Sequence, residues 1–233
     1  MSPARNPVID CAGRSTRDIN RDIRASLGPG RRVKVRNPAA RHNLGVALLS
    51  PGAVGFEGSV GYYCGGMNDG ATVTVNGSAG WGVAEGMLSG TVEVAGNAGN
   101  GAAASIRGGL VVVKGDCAAR AGVSMKGGLL LIGGDAGYMT AFMMQRGTIV
   151  IVGNAGHALA DSMYEGVVYV GGEIESLGND AVVKAPSRSD RQAIAAALEE
   201  HHIPVPKRLK KVVSGRKLWN FEHAELETWR AAL

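Results

Sequence analysis

Residues 111–129 read VVVKGDCAARAGVSMKGGL and residues 130–148 read LLIGGDAGYMTAFMMQRGT. Each has an apolar triplet, glycine at the fifth place, an acid at the sixth, methionine at the fifteenth and glycine at the eighteenth. Outward from this pair the pattern recurs every 19 residues without slippage, with copies starting at Val54, Val73, Val92, Val111, Leu130, Ile149 and Val168. The fifth place is glycine in every copy: Gly58, Gly77, Gly96, Gly115, Gly134, Gly153 and Gly172. The sixth is small or polar throughout: Ser59, Ser78, Asn97, Asp116, Asp135, Asn154 and Glu173. The eighth is glycine except at Ala118 and Glu175, where alanine and glutamate take a positive φ less easily and turn geometry should differ. A fixed short period of this kind is the signature of a solenoid.

Nineteen residues cannot hold the two helices of a helical repeat, and β-branched triplets between glycines call for short strands. The reading is a mainly β protein, a right-handed parallel β-helix of seven 19-residue coils with helical or irregular extensions at both ends. Places one and three, such as Val92 and Val94 or Ile149 and Ile151, point inward by strand alternation. Coils about 4.8 Å apart then stack like residues into ladders. Met87, Ile106, Met125, Met144 and Met163 form one such row, read as filling an irregular interior corner rather than binding copper. The Asp and Asn residues of the sixth row should bond neighbouring backbone amides.

Three regions result: a cap over residues 1–53, the β-helix over 54–185, and a helix with a basic tail over 186–233. In the cap, Ser15 or Thr16 opens an amphipathic helix carrying Ile19, Ile23 and Leu27, ended by Gly28, Pro29 and Gly30. Two strands, 33–36 and 44–48, are expected to follow it. Residues 189–202 read as the second helix, 203–206 as extended, and the tail runs through Trp219 and Phe221. The second place of each coil faces outward, yet there Val112, Leu131, Val150 and Tyr169 stack apolar groups over four coils. Such a stripe is either a docking surface or is covered by the chain's own C-terminal part. In the docking case Leu131→Asp would abolish assembly and leave the isolated chain folded.

Composition narrows function by exclusion. Segment 54–185 holds six Lys or Arg against eleven Asp or Glu, so the flanks carry an excess of ten positive charges within the overall +5. The basic stretches run from Arg31 to Arg41 and from Lys207 to Lys217, without interleaved aromatics in the first or a nucleic-acid module, so no nucleic-acid role is expected. Nothing reads as a membrane span or signal core, which suits a cytoplasmic chain. Cys11, Cys64 and Cys117 are widely spaced and the five histidines follow no metalloenzyme spacing. No nucleophile triad, phosphate loop or dinucleotide fingerprint is found, so no catalytic, cofactor-binding or metal residue is assigned.

The repeat resembles the GXGXG β-helix domain of the glutamate synthase large subunit. More specific strings are GSVGYYCGGMN (58–68), GSAG (77–80), VAEGM (83–87), SMKG (124–127), DSMYE (161–165), SLG (176–178) and SGRKLWNF (214–221). Together they resemble the stand-alone GXGXG β-helix subunit of N-methylglutamate synthase, also called methylamine–glutamate N-methyltransferase. That resemblance implies a hetero-oligomer converting methylamine and L-glutamate to N-methyl-L-glutamate and ammonia. It implies one glutamine amidotransferase-like partner and another carrying FMN and an iron–sulfur cluster, with this chain as the structural subunit and no catalytic residue of its own. The alternative is a scaffold like the β-helix subunit of a formyltransferase/hydrolase or formylmethanofuran dehydrogenase complex, or part of a split glutamate synthase.

Overall fold

The computed structural model describes residues 6–218. Among them, eleven strands make one sheet: β1 (Val8–Asp10), β2 (Arg32–Arg36), β3 (Gly52–Glu57), β4 (Asp69–Val75), β5 (Ser89–Val94), β6 (Leu110–Val113), β7 (Lys126–Ile132), β8 (Arg146–Ile151), β9 (Val167–Val170), β10 (Ala181–Lys184) and β11 (Lys210–Ser214). From β1 to β9 neighbours pair in parallel. From β4 to β9 the central pairings, such as Val92↔Val111 and Leu130↔Ile149, step by the 19-residue repeat. A second ladder of single bridges joins the seventh places, Val60, Ala79, Ala98, Cys117, Ala136, Ala155 and Ile174. The chain is therefore the expected parallel β-solenoid. Its interior is filled by rows one, three, seven, eleven and fifteen, and the methionine row is wholly buried.

The sixth row does more than bond to its own turn. Each side-chain oxygen accepts from the backbone N–H of the sixth residue in the next coil: Ser59 from Ser78 at 3.0 Å, Ser78 from Asn97 at 3.1 Å, Asn97 from Asp116 at 2.9 Å and Asp116 from Asp135 at 2.8 Å. Asp135 then accepts from Asn154 and Asn154 from Glu173. This ladder explains the invariant glycine before it. A Cβ on Gly134 would lie 2.0 Å from Asp116 Oδ1, and one on Gly153 2.1 Å from Asp135 Oδ1. Five of the seven eighth-place residues are likewise glycines packed on the preceding coil, and none of those has a positive φ. The expectation that Ala118 and Glu175 alter a left-handed turn is thus corrected, because close approach is the constraint there.

Left-handed residues occur elsewhere, at places ten, twelve and fourteen of successive coils: Tyr63, Gly65 and Met67, then Gly82, Ala84 and Gly86, then Gly101, Ala103 and Ser105, and so on to Ser162. Asn43, Gly45 and Ala47 repeat the triple one coil earlier. Their neighbours agree, since Val33 pairs with Val54, Gly65 N–H donates to Leu44 and Asp69 N–H to Leu48. The expected strand over 44–48 is therefore not a strand. It is the turn side of an additional coil 21 residues long, with buried Leu44 and Leu48 in rows eleven and fifteen. Of its two added residues, one lies near Asn37, Ala39 and Ala40, all with positive φ, and the other between Leu48 and Val54.

Helix α1 (Thr16–Ser26) closes this first coil from below. Ser15 Oγ caps it by accepting from Asp18 N–H at 3.1 Å, and Ile19 and Ile23 are buried. Buried Asn20 replaces the missing coil: its Oδ1 accepts from Gly45 N–H at 2.8 Å and its Nδ2 donates to Asn43 O at 2.6 Å. At the far end β11 enters antiparallel between β9 and β10. Residues beyond Leu218, including Trp219 and Phe221 of the expected tail, lie outside the described residues.

If the ladder oxygen excludes a side chain at the fifth place, the two positions must couple. Gly134→Ala is expected to cost about 2–3 kcal/mol, one hydrogen bond plus overpacking, and Asp116→Ala about 1 kcal/mol. The double variant should cost clearly less than their sum, as a urea-denaturation cycle would show, whereas strict additivity would disprove the coupling.

Candidate interaction surfaces

The outward face of the strands is divided in two. Over the first coils its second-place residues are Gly55, Thr74 and Glu93; over the last four they are Val112, Leu131, Val150 and Tyr169. Helix α2 (Arg188–Glu200) lies on the latter. Ile194, Leu198 and Ile203 form one buried cluster with all four stripe residues. The stripe is therefore not a free docking surface: the chain's own C-terminal helix covers it, because its apolar face matches the stripe and polar bonds hold its N-terminal end. At the N-terminal end Ser187 and Asp190 make a reciprocal capping box. Asp190 also accepts from Tyr169 Oη at 2.8 Å and from Lys211 Nζ at 3.0 Å. The Ser187 backbone N–H, with Lys211 and Tyr169 beside it, holds the Asp190 carboxyl well below the usual range. At the other end His201 lies 3.9 Å from Glu93, which pairs with Lys114 at 2.8 Å.

The basic stretches are partly spent within the chain. Lys34 and Arg36 both pair with Glu57, Arg41 donates to Arg14 O, and Lys210 pairs with Glu173 at 2.7 Å. The three cysteines are buried in separate rows, and burial pushes the Cys64 thiol up to about 12. Among the described residues no group of three or more His, Cys, Asp or Glu is placed to hold a metal ion. None of the described helices is long and apolar enough to cross a membrane.

The turn side carries a feature not assigned from sequence. Its ninth row begins with a ring stack: His42 on Tyr62 with centroids 4.3 Å apart, and Tyr62 on Trp81 at 5.2 Å. His42 Nδ1 accepts from Tyr62 N–H at 2.9 Å, which fixes the first ring. Glycine at the eighth place makes room for these rings, since a Cβ on Gly80 would lie 2.7 Å from the Tyr62 ring and one on Gly99 2.6 Å from Trp81. Asn100 and Ala119 then interrupt the row before Tyr138 resumes it. The interruption is an open groove of about 450 Å³ with Trp81 and Tyr63 at one end and Tyr138 at the other. Gly101, Ala104, Ser105 and Ser124 are among its lining residues. Exposed aromatics 19 residues apart were visible in the sequence, but the 20-residue step from His42 to Tyr62 hid the start of the row.

Against this geometry the comparisons are specific but partial. No protein-family profile matches the chain. Over 86 residues, 36% of this chain and 37% of that protein, it is 49% identical to Protein GlxC of Rhizobium meliloti (strain 1021). The alignment thus spans only about a third of that relative's length. A chain of the formyltransferase/hydrolase complex FhcABCD from Methylorubrum extorquens, solved with methylofuran, superposes with a TM-score of 0.69 over 88% of each chain at 24% identity. That likeness shows a shared fold.

Covering by α2 reverses the expectation for Leu131→Asp. Placing a carboxylate in the buried cluster that Leu131 shares with α2 should destabilise the isolated chain by more than about 3 kcal/mol, read as a lowered urea midpoint and loss of α2 amide protection. Asp190 adds a pH signature. Its folded pKa lies below the unfolded value, so its contribution is complete above about pH 4 and is lost as pH falls through the lowered folded value. Hydrogen exchange of α2, corrected for intrinsic rates, should therefore quicken below pH 4, and Asp190→Asn should flatten that dependence.

Proposed function

We propose that this chain is the structural β-solenoid subunit of a heteromeric flavin-dependent N-methylglutamate synthase, which forms N-methyl-L-glutamate and ammonia from methylamine and L-glutamate. The observation that supports the structural role is the packing of the interior: each coil is filled mainly by aliphatic, alanine and methionine rows, and buried Asn68 and Thr140 are bonded to backbone carbonyls within it. Likeness to Protein GlxC supports a relation to that protein, and superposition on a chain of FhcABCD supports a solenoid that works inside an assembly of unlike subunits. The choice of methylamine chemistry rests on the strings from 58–68 to 214–221. In this reading an amidotransferase-like subunit and a subunit holding FMN and an iron–sulfur cluster supply the chemistry. This chain sets their separation.

The second reading, a scaffold in a formyl-transferring one-carbon complex, is favoured by the extent of the superposition on the FhcABCD chain. Gentle purification of the tagged chain from its host grown on methylamine, followed by mass spectrometry and absorbance, separates the two. The expected result is an amidotransferase-like chain and a flavoprotein, with methylamine-dependent turnover only in the assembly. Formyltransferase and hydrolase partners would instead establish the second reading, and turnover by this chain alone would overturn both.

A further inference from the structure

We propose that the outward face of the first coils is a binding slot for a small molecule bearing carboxylate or phosphate oxygens, separate from the α2 seat and from the turn side. The slot lies over β3, with β2 on one side and β4 on the other. Three observations lead to it.

The first is a glycine that the fold does not require. Gly55 sits in the middle of β3, whose register with β2 and β4 runs without a bulge. Among the described residues it is the one strand glycine with neither a positive φ nor any atom within 4 Å of where a Cβ would stand. Gly127, by contrast, would place a Cβ 2.2 Å from Arg107 O, and Gly90 combines a positive φ with a Cβ position 2.4 Å from Ala71 O. Glycine weakens a strand, and where no bulge or bend calls for it, it marks a place that a ligand or a second backbone approaches closely. The second observation is the pair of walls. The register sets Arg32 beside Ala53, Lys34 beside Gly55 and Arg36 beside Glu57, and Gly55 in turn beside Thr74. Arg32, Lys34 and Arg36 alternate with buried Val33 and Val35, so all three cations stand on the outward face. With only Ala53 and Gly55 between β2 and β4, a trough remains that has the cations along one wall and Thr74 and Asn76 along the other. Each of these five wall residues carries a side-chain donor.

The third is the balance of charge and the size of the trough. Among the described residues Glu57 is the one carboxylate lining it. Glu57 pairs with Lys34 and accepts from Arg36 Nε at 3.1 Å, which holds both cations in place and leaves the terminal amino groups of Arg36 as further donors. Three cations against one carboxylate leave the trough positive, and donors on both walls select oxyanions over cations or apolar groups. Its dimensions select a small molecule. The trough spans four residues along β2, about 13 Å, and two strand spacings across, about 10 Å. Its volume of about 720 Å³ is that of a small-molecule site. Its footprint falls far below the roughly 800 Å² that each partner buries in a stable protein interface.

The test uses the purified full chain. Titration calorimetry with glutarate and with pyrophosphate should give saturable binding of at least one, and the one that binds tells a carboxylate ligand from a phosphate ligand. Gly55→Val fills the floor of the trough and leaves its walls unaltered. It should weaken that binding at least tenfold and, because no feature of the fold calls for glycine there, raise the thermal midpoint by about 2 °C. Arg32→Gln should weaken binding at least threefold at an unchanged midpoint, and Lys184→Gln, on the edge strand at the far end of the sheet, should alter neither. Absence of saturable binding by both probes, binding that survives Gly55→Val, or a lowered midpoint in that variant would overturn the proposal. So would a dimer in sedimentation, or a subunit co-purifying from the host, that Gly55→Val disrupts, since either would give the trough to a polypeptide. None of these outcomes decides the subunit role proposed above, which rests on what co-purifies with the unaltered chain.

Discussion

The structure depends on one repeated contact, a side-chain oxygen in the sixth row accepting the backbone N–H of the sixth residue in the next coil. A single such bond adds only about 1 kcal/mol. Repeated through the stack, it ties coil to coil at a fixed offset and penalises any slip, because an insertion would move the acceptor away from its donor. From Gly77 onward glycine must precede each acceptor, since the oxygen from the coil below occupies the place of a Cβ; Gly58, with no such oxygen below it, has a positive φ instead. The 19-residue period, the invariant glycine and the short polar residue after it are therefore three expressions of one geometric requirement. The core rows inherit their alignment from it, so that valine meets valine and methionine meets methionine from coil to coil.

The interior is packed throughout, and the outer surfaces are unlike one another. On the strand side the stripe from Val112 to Tyr169 is met by α2, and Tyr169, Asp190 and Lys211 lock the helix at the capped end. That side is satisfied within the chain over its last four coils. On the turn side three left-handed residues per coil fold the backbone into consecutive tight turns, with Glu85 N–H bonded to Gly82 O and Met87 N–H to Ala84 O. Tight turns project the ninth-place side chains outward, and the ring row stands there without cover from the described residues.

Much of this was legible because periodicity reports translation. The strand triplets, the inward rows and both helices could be read from residue spacing, and Ser15 and Ser187 open helices beside the expected places. The additional first coil was not legible, because its 21-residue length breaks the period and its strand, Val33 to Arg36, carries no glycine marker of the repeat. Leu44 and Leu48 suggested a strand because they are apolar with polar or small neighbours. Their four-residue spacing instead matches that of rows eleven and fifteen on a turn side. The left-handed residues were hidden for a related reason: Ala84, Ala103 and Ala141 take conformations usually left to glycine, imposed by hydrogen bonds from both adjacent coils rather than by local preference.

The stripe shows where a periodic pattern stops being informative. Spacing revealed that four outward residues are apolar, and the same sequence held a helix with an apolar face, yet spacing within the repeat says nothing about segments outside it. Their pairing is decided by end points. Glu93 marks one limit of the apolar run, held by Lys114 and approached by His201 where α2 finishes; Tyr169 marks the other, bonded to Asp190 where α2 begins. Thirteen helical residues span about 20 Å, and four stacked strands with their flanking contacts span a similar distance. The length of α2 thus matches the length of the stripe. A helix of this size covers no more than the apolar half of that face, so the polar half and the turn side are what the solenoid leaves available to other chains.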